Sequence, residues 1–129
     1  MIAAVGTVAG VLLVDVEAET LLGEGDEVPA VERPQVDLPR VVAAARAGST
    51  VVAVVDRRPP LMLSNDGGAT WREAGGGLPP GFAIAVAEDD PDRMLYAARN
   101  RLYVSTNGGV FWRALTLELP DILACAWID

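Results

Sequence analysis

Residues 64–71 read SNDGGATW and residues 105–112 read STNGGVFW. The serine, the paired glycines and the tryptophan recur in register, 41 residues apart (105 minus 64). A phrase repeated at that spacing in a chain of 129 residues marks an internal repeat, and its register decides how the flanking segments are read.

Aligned on the two phrases, VVAAARAGSTVVAVVDRRPPLMLSNDGGATWREAG lies above AIAVAEDDPDRMLYAARNRLYVSTNGGVFWRAL. Four segments correspond in order: VVAAARA with AIAVAE, VVAVVD with MLYAARN, PLMLS with RLYVS, and the two stretches that open at the tryptophans. The apolar runs are short, rich in Val and Ala, and broken by Gly, Pro and Asp, which is the pattern of strands. Alanine alone would favour a helix over 41–47, but the run is short and its repeat partner reads as a strand. Each repeat is therefore a four-stranded unit of propeller-blade size.

The two ends of the chain supply a third unit. MIAAVGT matches the second segment, GVLLVD the third and TLLGEG the fourth, followed by a Pro-rich connection, VPAVERPQVDLP; ILACAWID matches the first. The expected architecture is all-β: one module over 1–129, with blades at 41–78 and 82–119 and a split blade built from 1–33 plus 122–129. Propellers run from about four to eight blades, and three twisted sheets do not readily surround an axis. The sequence reading accordingly gives the C-terminal strand, 122–128, to the blade of a neighbouring chain, so that two copies close a six-bladed homodimeric ring; the alternative is a compact three-bladed or open-sheet monomer, or a fragment of a longer array.

SNDGGATW resembles the Asp-box, or BNR repeat, whose pattern is Ser-x-Asp-x-Gly-x-Thr-Trp. Ser64, Asp66, Gly68, Thr70 and Trp71 fill every position. The second copy keeps Ser105, Gly109 and Trp112, with Asn107 at the Asp position and Phe111 at the Thr position; in the split blade only Glu17 of DVEAETLL falls near the pattern. The residue chemistry is that of a turn: Asp or Asn bonds nearby amides, glycine takes positive φ, and the tryptophan offers a large face for packing between sheets. The resemblance likewise implies a structural motif of sialidase-like and non-enzymatic BNR propellers, placed away from the active face. The three arginines, tyrosine nucleophile, neighbouring glutamate and acid/base aspartate of sialidases have no matching motif here, so no catalytic residue is assigned.

The face opposite these turns bears the hairpins DRRPP and RNR, which put Asp56, Arg57, Arg58, Arg99, Asn100 and Arg101 on one rim. Guanidinium forks suit carboxylates and phosphates, making this rim the candidate ligand-binding surface; the competing reading pairs the arginines with Asp37, Glu118 and Asp121. EDDPD at 88–92 is oxygen-rich, as calcium sites are, but lacks an EF-hand's glycine and spacing and reads as a turn. GGGLPPG at 75–81 is followed by neither a helix nor a lysine, and reads as a linker rather than a phosphate loop.

Composition narrows the function classes. A net charge of −8 argues against nucleic acid and anionic membranes as partners. Histidine is absent, which excludes Ser-His-Asp hydrolysis and removes the commonest metal ligand. The single cysteine, Cys125, reads as a small buried residue of a reducing compartment. No run reaches the roughly 18 apolar residues of a membrane span, and a cytoplasmic location is expected, with no cofactor and no metal. The functional expectation is a non-enzymatic scaffold that binds a small anionic ligand, a glycan or a protein; the alternative is a degenerate sialidase-like glycoside hydrolase relative that retains sugar binding or weak hydrolysis.

Overall fold

The computed structural model describes residues 1–31 and 33–128, so Glu32 and Asp129, both inside the ranges expected for the split blade, lie outside the described residues. Among the described residues there are twelve strands and no helix, so no helix is long and apolar enough to cross a membrane. The strands are β1 (Ile2–Thr7), β2 (Gly10–Asp15), β3 (Thr20–Glu24), β4 (Val41–Ala47), β5 (Thr50–Val55), β6 (Leu61–Ser64), β7 (Arg72–Ala74), β8 (Ala83–Val86), β9 (Met94–Ala98), β10 (Arg101–Ser105), β11 (Arg113–Ala114) and β12 (Ile122–Trp127). They form three antiparallel four-stranded sheets, in the orders β4-β5-β6-β7, β8-β9-β10-β11 and β12-β1-β2-β3.

The alanine-rich VVAAARA is strand β4, paired with β5 from Val41↔Val55 to Ala47↔Thr50 with a bulge between Val41 and Ala43. Its neighbour explains why helix propensity loses. TVVAVV is dominated by β-branched residues, which favour a pleated surface packed on both faces, and it supplies the ladder that β4 completes. Along β5 the side chains alternate: Val52 and Val54 join Leu61 and Leu63 in a core shared with Met94 and Tyr96 of the middle sheet, while Ala53 and Val55 face the other way. A second core joins the middle sheet, through Leu95, Leu102 and Val104, to Val5 and Val14 of the split sheet. Each fully buried Leu or Val contributes about 1.5–3 kcal/mol relative to exposure, so the middle sheet anchors both its neighbours.

The two end sheets each have a face left over, and the Pro-rich connection between β3 and β4 covers both. On the split sheet Gly25 N donates to Val11 O at 2.9 Å, and the Val28 side chain lies 3.0 Å from where a Cβ on Gly6 would sit. On the β4–β7 sheet Val36 and Leu38, with Trp71, pack on Ala53, Val55 and Met62. This strap occupies the space that three sheets alone leave open around an axis. Pro29 and Pro34 keep it out of a regular ladder, since proline fixes φ and lacks an N–H, and Pro39 lies in the turn with Arg40 (φ of 60°) that leads into β4.

Within the single chain β12 pairs with β1, from Ala3↔Trp127 to Gly6↔Ala124 with a bulge before Thr7, so the strand that the sequence assigns to a neighbour's blade here completes the split blade of its own chain. The connection that precedes it explains this choice. Leu115 N donates to Leu102 O at 2.9 Å, Leu119 N to Asn100 O at 3.0 Å and Ile122 N to Arg99 O at 2.6 Å, delivering β12 beside β1. Held so closely, the chain's own edge is presented at a far higher effective concentration than any second copy's.

Candidate functional site

In the first repeated turn Ser64 Oγ donates to Asp66 Oδ1 at 2.6 Å and accepts from Gly68 N at 2.8 Å. Asp66 Oδ1 also accepts from Thr70 N at 2.9 Å, and Oδ2 from the Thr70 hydroxyl. Gly67 and Gly68 have φ of 73° and 98°, a region that side chains other than glycine's rarely enter. The hydroxyl of Ser64, then the hydroxyl and amide of Thr70, hold the Asp66 carboxyl down to about 2. In the second turn Asn107 Oδ1 takes the same place, accepting from Ser105 Oγ at 3.0 Å and Phe111 N at 3.0 Å, while Gly109 N donates to Ser105 Oγ at 2.9 Å. Trp112 donates its indole N–H to Gly109 O at 3.0 Å and packs edge-on against Tyr96. The Ser64 hydroxyl, the Asp66 carboxylate, the Ser105 hydroxyl and Asn107 Oδ1 are thus all engaged in holding the turns.

The turn of the split sheet works differently, and the sequence reading missed its key residue. Glu19, not Glu17, holds it: Glu19 Oε2 accepts from Arg113 Nη1 at 2.8 Å and Oε1 from Thr116 N at 2.7 Å, linking this turn to the middle sheet. Glu19 has φ of 54°. The one local signal was a carboxylate in a short polar turn, which names no partner 94 residues away.

The rim arginines are placed as follows. Arg57 meets Glu73 at 3.4 Å and Met62 Sδ at 3.0 Å; Arg99 meets Asp121 at 3.7 Å; Arg101 donates to Leu115 O and to Glu118 Oε1, both at 3.2 Å. Asp56 N and Asn100 O are used by the backbone, bonding Arg40 O and Leu119 N. Arg58 lies with Pro59, Pro79 and Tyr103 along an open groove. Two of the acids named from sequence, Glu118 and Asp121, are thus partners; Asp37 lies elsewhere, in a groove beside Gly67 and Trp71. Exposed pairs like these contribute about 0–1 kcal/mol each, but they occupy the guanidinium groups and neutralise the rim.

A cavity of about 630 Å³ lies between the inner strands β4, β8 and β12, closed on another side by Val28, Pro29 and Val31 of the strap. Its walls are mostly apolar, including Phe82, Leu123 and Trp127, with charged side chains from Arg46, Glu88 and Asp89. These charges sit at the end that carries the repeated turns. Arg46 precedes the β4–β5 turn, where Gly67 N donates to Ser49 O at 2.9 Å; Glu88 and Asp89 lie in the β8–β9 loop, where Gly108 N donates to Asp92 O at 3.0 Å. Cys125 lines the same cavity, and burial pushes its thiol up to about 12. The EDDPD run is a turn, with Arg93 N bonded to Asp90 O at 2.9 Å and Arg93 paired with Asp89 at 3.5 Å. Among the described residues no group of His, Cys, Asp and Glu could hold a metal ion.

No protein-family model matches the chain, and no curated protein matches it. Among solved structures it is similar to the crystal structure of the GH74 enzyme of Niastella koreensis, at 25% identity and a TM-score of 0.52, over 90% of this chain and 17% of that one. The chain therefore spans about a sixth of the length of that enzyme. The all-β fold of three four-stranded sheets is propeller-like, and this neighbour is a propeller-type glycoside hydrolase.

Proposed function

We propose that the protein is a non-enzymatic propeller-type scaffold that binds a small ligand in the cavity between its inner strands. The observation that carries the reading is the cavity itself: about 630 Å³, with apolar walls and a few charged groups at one end, within the range of about 300–1,000 Å³ common to small-molecule sites. The arginine rim is the weaker candidate, because Arg57, Arg99 and Arg101 already face Glu73, Asp121 and Glu118. The repeated turns belong to the scaffold as Asp-box-like clamps. A six-bladed ring of two copies would need the strap to leave the outer faces of the end sheets, and binding in the cavity does not depend on it.

The hydrolase alternative draws on the GH74 neighbour. Glycosidases need two carboxyl groups on opposite sides of the scissile bond, about 5–9.5 Å apart. The carboxylates that line the cavity, Glu88 and Asp89, are consecutive in one loop, and Asp89 is engaged by Arg93. Two measurements test the proposal together: fragment binding followed by NMR, and turnover of a panel of chromogenic glycosides. Fragment-induced shifts confined to Ala44, Ala85 and Leu123, without turnover, are expected; turnover lost on Glu88→Gln substitution would favour the hydrolase instead.

A further inference from the structure

Arg46 and Glu88 carry opposite charges at the same end of the cavity, at the ends of inner strands β4 and β8 that pack side by side. Arg46 is half-committed: its Nε donates to Gly48 O at 2.8 Å, which fixes the guanidinium plane, and no acid pairs with it among the described residues. One of its terminal nitrogens lies 3.6 Å from where a Cβ on Gly67 would sit, so the group is held against the first repeated turn. Glu88 has no ion-pair partner among the described residues, whereas its neighbour Asp89 is neutralised by Arg93. Behind these two charges the walls are apolar, with Phe82, Leu123 and Trp127.

We infer that the cavity takes a zwitterionic ligand with an apolar body: an aromatic or branched α-amino acid or a short apolar peptide, its carboxylate on Arg46 and its ammonium on Glu88. This rests on the cavity reading above and adds the ligand's chemistry to it. A purely apolar ligand would leave both charges without a countercharge. A simple anion would be drawn to Arg46 and repelled by Glu88, and a simple cation the reverse; a ligand with both charges at one end satisfies each group while its body leaves water. Arg46 supplies the geometric preference, because a guanidinium bonds a carboxylate through two parallel N–H groups.

The test uses the full chain, titrated calorimetrically with L-phenylalanine, its methyl ester and its N-acetyl derivative, with indole as an uncharged probe. L-phenylalanine is expected to bind more tightly than either derivative. Arg46→Gln should weaken L-phenylalanine and the N-acetyl compound by about fivefold and leave the ester unchanged, the size expected of an exposed charge pair. Glu88→Gln should weaken L-phenylalanine and the ester and spare the N-acetyl compound. Melting curves for both variants should match the parent, since both side chains are exposed. Equal binding of all three compounds, or insensitivity to both substitutions, would overturn the zwitterion inference while leaving the cavity reading intact. If indole also fails to bind, the cavity reading falls with it.

Discussion

Glu19 and Arg113 stand 94 positions apart in the chain, and their carboxylate and guanidinium meet at 2.8 Å. The same carboxylate takes the Thr116 amide at 2.7 Å, so one side chain ties the turn of the split sheet to the outer edge of the middle sheet. Glu19→Ala is expected to cost about 1 kcal/mol, the scale of a charged hydrogen bond that is partly open to water. Because Glu19 has φ of 54°, Glu19→Gly should recover part of that loss by relieving the backbone, about 0.5 kcal/mol. Urea unfolding of both variants, with a double-mutant cycle through Arg113→Ala, measures the terms; zero coupling would show that the contact is incidental.

Asp66 makes the first repeated turn sensitive to acid. Its carboxyl titrates at about 2 in the folded chain against an ordinary 3.8. A depressed folded value means the charged form is favoured by folding, so this contribution is complete above about pH 4 and fades as the pH falls toward 2. Asp66→Asn should keep the turn, as Asn107 does in the second copy, but flatten the melting temperature between pH 4 and 2; Asp66→Ala should lower it by a few degrees at neutral pH. Thermal melts across that pH window provide the check, and an unchanged acid slope in Asp66→Asn would remove Asp66 as its source.

Tyr96 ties the glycine-rich linker to the core. It is fully buried, its hydroxyl donates to Pro79 O at 2.7 Å, and burial followed by the nearby Tyr103 pushes it up to about 12. Tyr96→Phe should lose about 1–2 kcal/mol, because Pro79 O is left without its donor. Gly81→Ala should be worse, since the new methyl would overlap the Tyr96 ring and meet Ala97 O at 2.6 Å; overpacking of this kind costs about 1–3 kcal/mol or more. Chemical denaturation ranks the two, and a neutral Gly81→Ala would mean that the linker shifts freely.

Pairing of β12 with β1 inside one chain makes residues 122–128 part of the fold. Their removal would expose the β1 edge and take Ile122 and Ala126 from the core, so the truncated chain should lose cooperative unfolding. The intact chain should sediment at 13.5 kDa. A stable species of twice that mass that falls apart when β12 is removed would instead indicate exchange of this strand between copies.

Strand content and the grouping into three four-stranded units were legible from residues 64–71 and 105–112, because a tandem repeat imposes one register on every flanking segment and corrects local propensity, as it did for Val41–Ala47. The turn chemistry was legible too, since Ser64, Asp66 and Thr70 act within a few residues of one another. Contacts between distant segments were not. The partner of β12, the strap over the outer faces, the reach of Glu19 to Arg113 and the placing of Arg46 and Glu88 on the walls of one cavity depend on how three sheets stack. Periodicity is a property of the chain itself, whereas which sheet faces are covered, and by what, is decided only when the sheets and the strap compete for the same buried surface.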